Sequence, residues 1–174
     1  MAKANISLLS TTNNYVKARE ELTLIKEYLS NLNVYFFNDL LLLSQCLYLF
    51  DIDTSIQLVE KSLEAVKNNY DFYKDKKIGL SLVINIAIYA LDFDDYFHYS
   101  LDYSAYAKKM ALSQNDMMGS LFAEVISQIA SFKIGDGTFS KEKLVRTLDI
   151  CKTLEWHTNY DSFKNFIIKH GINL

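Results

Sequence analysis

Apolar residues recur along most of this chain at intervals of three and four positions, the spacing that places side chains on one face of an α-helix. The β-branched residues do not alternate with polar ones over any long run, so no strand is predicted. The pattern predicts about eight helices joined by short connections. Their boundaries are 15–30, 34–50, 54–70, 77–91, 94–113, 116–132, 140–156 and 158–170.

Residues at the predicted helix ends support several of these boundaries. Thr54 followed by Gln57 predicts a capping box at the start of the third helix. Asp116 and Ser140 are suited to be the N-caps of the sixth and seventh helices. Gly135 can supply the left-handed residue that ends the sixth helix.

The predicted helices alternate between charged and almost uncharged. The odd-numbered helices carry many charges, whereas the second has only Asp39, the fourth only Lys77, and the sixth Asp116 and Glu124. Each charged–apolar pair recurs roughly every 38–46 residues, the period of helical-repeat arrays. This favours a two-layer stack of antiparallel helix hairpins with one layer facing water. An irregular bundle would also be compatible with the alternation.

Polar residues on the three apolar helices are candidates for ligand binding. The stretch GLSLVINIAIYALDF holds Asn85 in an almost wholly apolar setting, where an unpaired amide would be costly. The aligned polar positions are Asn38 and Gln45 on the second helix, Ser81, Asn85 and Tyr89 on the fourth, and Glu124, Gln128 and Ser131 on the sixth. Amides both donate and accept hydrogen bonds, which suits a peptide backbone. For each amide the alternative is a structural bond between adjacent helices.

Composition narrows the function classes. The chain has 174 residues, half of them hydrophobic, no proline, and a net charge of −3 with a pI of about 5.6. An acidic chain of this kind argues against a DNA-binding surface, which needs clustered Lys and Arg. The polar N-terminal stretch is unlike a secretory signal, and no uncharged run reaches the roughly 20 residues that span a bilayer. A cytoplasmic protein without membrane contact is expected.

Catalytic and metal-binding motifs are missing from the sequence. His98, His157 and His170 are scattered without an HExxH pattern, and Cys46 and Cys151 are far apart without a CxxC pattern. The sequence therefore predicts no enzyme, no metal site and no cofactor. The aromatic and aliphatic last helix, with Phe163, Phe166 and Ile167, instead predicts a self-complementary dimer interface.

Three segments together resemble the Rgg/GadR/MutR family of bacterial regulators. NDLLLLSQCLYLFDIDTSIQLVEKSLEAV is similar to a family stretch in which Asp39 takes the acidic position, Gln45 the amide position and Cys46 a frequent cysteine. NIAIYALDFDDYFHYSLDYSAYAKK is similar to the family helix that carries Asn, Ile and Tyr, and to the helix after it. SFKIGDGTFSKEKLVRTLDICKTLEWHTNYDSFKNF is similar to the C-terminal helices. The resemblance runs from Leu22 to the C-terminus.

The resemblance implies a TPR-like right-handed superhelix that dimerises and, in several members, binds a short signalling peptide on its concave face. It also places Asn85 near that peptide. Such regulators read DNA through an N-terminal helix-turn-helix, for which this sequence has no room. We therefore expect a linker over residues 1–14 and a sensory and dimerisation domain over 15–174. The alternative function is a stand-alone helical-repeat adaptor for a protein partner.

Overall fold

The computed structural model describes residues 12–68, 73–135 and 137–174, with side chains described over 20–64, 77–135 and 137–174. These residues form eight α-helices and no strand, as predicted. The helices are α1 (Thr12–Asn31), α2 (Phe37–Cys46), α3 (Ile52–Asn68), α4 (Tyr73–Ala90), α5 (Phe97–Ser113), α6 (Met117–Ile134), α7 (Lys141–Thr153) and α8 (His157–Lys169). A short 3₁₀ helix, Leu47–Leu49, follows α2, and a second one, Asp94–Tyr96, precedes α5.

The chain divides into two compact units, residues 1–82 and residues 83–174. In the first unit the fully buried core includes Leu29, Leu40, Leu43 and Val59 from α1, α2 and α3. The Tyr35 hydroxyl donates to the Leu29 carbonyl at 2.6 Å, which satisfies one of the carbonyls at the end of α1. The core of this unit is therefore formed where the three helices meet.

In the second unit α5 and α6 pack along their length, and α6 also contacts α7 and α8. The Ser100 hydroxyl on α5 donates to the Ala87 carbonyl on α4 at 2.8 Å. Fully buried alanines on α5 and α6, among them Ala107, Ala111 and Ala123, allow close helix packing because they carry little side chain. α6 is thus the central helix of this unit.

Three predicted capping residues occupy the expected helix ends, and a fourth is corrected. Asp116 caps α6 by accepting the Gly119 backbone N–H at 2.8 Å, and Gly135 ends α6 with φ 71°. Ser140 occupies the N-cap of α7, although its side chain makes no capping bond. The predicted Thr54 capping box is wrong because α3 begins two residues earlier. Asp51 accepts the Thr54 backbone N–H at 2.8 Å and the Thr54 hydroxyl at 2.7 Å.

The predicted linker over residues 1–14 lies largely outside the described residues, because the first described residue is Thr12, where α1 begins. Among the helices that are described, none is long and apolar enough to cross a membrane.

Candidate functional site

Three of the candidate peptide-binding residues lie on α4 at four-residue intervals, which places them along one side of this helix. Ser81 is exposed, and its hydroxyl donates back to the Lys77 carbonyl at 3.2 Å. Asn85 and Tyr89 are both half-buried. The Tyr89 ring meets the Phe93 ring edge-on, with 5.1 Å between centroids. α4 therefore carries an amide and a phenol, one turn apart, at the border between core and surface.

Several neighbours of Asn85 on α4 are core residues. Val83, Ile86, Ala87 and Ala90 are all fully buried. Residues one and two positions from Asn85 do not share its face of the helix, so their side of α4 is anchored in the core while Asn85 lies at its edge.

The candidates on α2 are exposed. Asn38 and Gln45 both face solvent, whereas Asp39 between them is buried. Asp39 accepts the Phe36 backbone N–H at 2.9 Å and the Tyr28 hydroxyl at 2.6 Å. The bond to Asp39 raises the pKa of the Tyr28 hydroxyl. Asp39, which takes the acidic position of the family stretch, thus caps α2 and links it to α1.

The polar row on α6 is engaged inside the second unit. Gln128 is buried, donates from Nε2 to Glu124 Oε1 at 3.0 Å, and accepts the Ser140 backbone N–H at 2.7 Å. The buried Ser131 hydroxyl accepts the Thr138 hydroxyl at 2.8 Å. These bonds connect the middle and end of α6 to the segment that leads into α7. The Gln128 amide oxygen and nitrogen therefore both have partners within the second unit.

A group of charges that the sequence did not reveal surrounds Glu124. Lys108 on α5 donates to one Glu124 oxygen, and Lys143 Nζ on α7 lies 4.0 Å from the other. These residues and Arg146 line a cleft of about 310 Å³ between α5, α6 and α7, here called the cationic cleft. Lys108 precedes Lys143 by 35 positions and Arg146 by 38 positions in the sequence. No local pattern therefore predicts that these residues meet.

The predicted dimer residues divide into core and surface. Phe163 and Ile167 are buried within the unit, and Phe163 stacks on Phe122 with 5.2 Å between ring centroids. Phe166 is half-buried and meets Phe122 edge-on at 5.8 Å. Ile168, one residue beyond Ile167, is 49% exposed. Two of the three predicted dimer residues on α8 therefore lie in the core, and other apolar side chains of this helix lie at the surface.

The two cysteines are separate thiols. Cys151 is buried and Cys46 half-buried, and burial raises the pKa of both thiols. Within the described ranges, no three His, Cys, Asp or Glu side chains are grouped as metal ligands.

The family of the chain follows from its sequence profile. Residues 1–165 match the profile described as the C-terminal domain of the HTH-type transcriptional regulator Rgg. The chain belongs to this Rgg C-terminal domain family. Its membership confirms the family resemblance that the three sequence segments indicated.

Comparison with solved structures confirms the fold of this Rgg domain. The structure is similar to the X-ray crystal structure of the SHP pheromone receptor Rgg2 of Streptococcus dysgalactiae, with a TM-score of 0.74 and 20% sequence identity. The match covers 87% of this chain and 56% of the receptor chain, so the Rgg domain spans little more than half of the receptor's length. This likeness supports the TPR-like all-α fold class. A search of curated proteins gave no match.

Proposed function

We propose that this Rgg domain is the sensory and dimerisation part of a transcriptional regulator, and that it binds a short peptide through Asn85 and its neighbours on α4. DNA would be bound only through a helix-turn-helix domain outside this sequence. Family membership supports the regulatory role. The similar solved chain is described as a pheromone receptor, which supports a peptide ligand.

The observation that carries the proposal is the position of Asn85. It is a half-buried amide, and the next two residues of α4, Ile86 and Ala87, are fully buried. One turn on, Tyr89 is half-buried too, and one turn back Ser81 is exposed. A primary amide can bind a peptide group with both its N–H and its C=O. Asn38 and Gln45 are exposed on α2 and remain additional candidates.

The test compares peptide affinity with stability in the Asn85→Ala variant. A ligand contact predicts that affinity for a short peptide falls about tenfold or more while stability changes little. A structural amide predicts the reverse, a stability loss of about 1–3 kcal/mol with unchanged affinity. Asn38→Ala serves as a second variant at an exposed candidate position.

We also propose that the domain forms a homodimer through α8 and the C-terminal residues. Ile168 is 49% and Leu174 38% exposed, and Phe166 is half-buried. Apolar groups at the end of a helical array need a cover, which a two-fold dimer supplies. The molecular mass in solution tests this part of the proposal.

A stand-alone adaptor is the second candidate function. It is favoured by apolar side chains exposed at the surface of the first unit, with Leu24 63% and Phe36 69% accessible. Contiguous apolar patches mark protein-binding surfaces, so the adaptor function requires that Leu24 and Phe36 belong to one such patch. An adaptor would show no affinity for short peptides, which separates it from the leading proposal.

A further inference from the structure

The cationic cleft combines three helices in one charged pocket. Its wall contains Lys108 from α5, Glu124 from α6, and Lys143 and Arg146 from α7. Glu124 is the least accessible of these, with its side chain 17% exposed. The lining includes three cations and one carboxylate, a formal excess of two positive charges.

The positive excess is available to a ligand. The side chains of Lys143 and Arg146 are 53% and 72% exposed. Arg146 pairs with Glu142 at 3.2 Å, but the Glu142 side chain is 81% exposed, and such surface pairs contribute little. Lys143 lies 4.0 Å from Glu124, at the limit of an ion pair. An incoming anion can therefore engage Lys143 and Arg146 without breaking a buried interaction.

An apolar cavity adjoins the cationic cleft. It has a volume of about 300 Å³, and its lining includes Leu112, Met117 and Leu121 at the turn between α5 and α6. Ser120 and Leu121 line both cavities, so the charged and apolar parts meet at one stretch of α6. Leu112 and Met117 are 62% and 50% exposed, which leaves apolar surface to be covered. Each cavity is at the lower end of the range of ligand pockets, about 300–1,000 Å³.

We propose that this pair of cavities binds a carboxylate of a short peptide, with an aliphatic side chain of the same peptide in the apolar cavity. The inference rests on the proposed peptide-binding function and adds a ligand class and a second contact region on α5, α6 and α7. The carboxylate would be recognised by charge complementarity with Arg146 and Lys143. A guanidinium can bind a carboxylate through two parallel N–H donors, and Lys143 adds a second positive charge.

Small probes test the site without knowledge of the full peptide. N-acetyl-leucine has a carboxylate beside an aliphatic side chain, and N-acetyl-leucinamide is its neutral counterpart. Each is titrated into the whole chain and followed by the backbone amide NMR signals of Ser120, Leu121 and Thr147. We expect the acid to shift these signals and the amide to bind at least tenfold more weakly. Equal binding of the two probes, or no binding of the acid, would overturn the proposal.

Matched variants assign the effect to the cleft. Lys143→Gln and Arg146→Gln should each weaken N-acetyl-leucine binding threefold or more, because each removes one positive charge from the cleft. Lys141→Gln is the control, since Lys141 is an exposed residue of α7 that does not line the cleft. If all three variants bind like the unchanged chain, the site is not the cationic cleft and the proposal fails.

Two further probes distinguish the sources of the carboxylate. N-acetyl-Leu-Leu carries it at the C-terminus, and N-acetyl-Asp-Leu-amide carries it on a side chain. Tighter binding of either one supports the proposal and identifies the source. Inorganic phosphate binding more tightly than all of these acids would contradict a peptide carboxylate. Because no probe depends on Asn85, failure here leaves the α4 proposal standing, and failure of the Asn85 test leaves the cleft standing.

Discussion

The side-chain oxygen of Gln128 accepts the backbone N–H of Ser140 at 2.7 Å, a bond that ties the start of α7 to the middle of α6. The Gln128 amide nitrogen also donates to Glu124 at 3.0 Å. Gln128 is thus the bridge between the polar row of α6 and the next helix.

Replacing Gln128 by alanine should lower the free energy of unfolding by about 1–3 kcal/mol, because the Ser140 N–H loses its acceptor in a poorly accessible position. Chemical denaturation measures this loss. Gln45→Ala is the matched control, since Gln45 is exposed on α2 and its removal should change stability by no more than about 0.5 kcal/mol. Equal stabilities of the two variants would show that the bridge contributes nothing.

α8 should respond differently to changes at its buried and exposed apolar positions. Ile168→Glu places a charge at a position that is 49% exposed, so it should convert the proposed dimer to monomer while the fold remains. Phe163→Ala, in contrast, removes a core ring stacked on Phe122 and should cost about 3–5 kcal/mol of stability. Light scattering at tens of micromolar gives the mass, and circular dichroism gives the fold.

Ser162→Glu is the control for the dimer test, because it adds the same charge at an exposed α8 position without removing an apolar group. A monomeric mass for the unchanged chain would refute the proposed homodimer. A dimer that survives Ile168→Glu would move the interface away from this face of α8.

His170 should make stability depend on pH. The residue is buried, and its Nε2 atom has no hydrogen-bond partner. Its pKa lies below 6.5, mainly because burial disfavours the charged form. Lys169 and Lys133 lower the pKa further, and together these effects outweigh the opposite effect of Asp92. The unfolded state therefore binds the proton more readily than the folded state. The stability that neutral His170 contributes is fully present above pH 6.5 and is lost as pH falls through the pKa of the folded state.

The pH effect is measured as the difference in unfolding free energy between pH 7 and pH 5. His170→Gln should reduce that difference, since the substituted side chain does not titrate. His157→Gln, at an exposed position, should leave it as in the unchanged chain. If the two variants lose stability equally on acidification, His170 is not the residue responsible.

Much of the fold is contained in local sequence patterns. Apolar spacing located all eight described helices, and Asp116 and Gly135 marked the ends of α6 because N-caps and left-handed glycines act within a few residues. The same local reasoning chose Thr54 instead of Asp51 for α3. Both residues are good N-caps, and only the structure shows which side chain is the acceptor.

The candidate sites depend more on tertiary contacts. Spacing placed Gln128 on the same face as Glu124, but it could not show that Ser140 lies against that face. The pattern on α8 identified apolar residues without separating the buried Phe163 from the exposed Ile168. The cationic cleft was missed because Lys108, Glu124 and Lys143 come from three helices.

The central claim is that this Rgg domain binds a short peptide through Asn85. The most direct measurement is isothermal titration calorimetry of the unchanged chain and the Asn85→Ala variant. The ligand is the tightest-binding member of a synthetic library of short peptides. We predict binding to the unchanged chain and at least tenfold weaker binding to the variant, about 1.4 kcal/mol, with a stability change below about 1 kcal/mol. No binding by any library member, or unchanged affinity together with a clear loss of stability in Asn85→Ala, would contradict the claim.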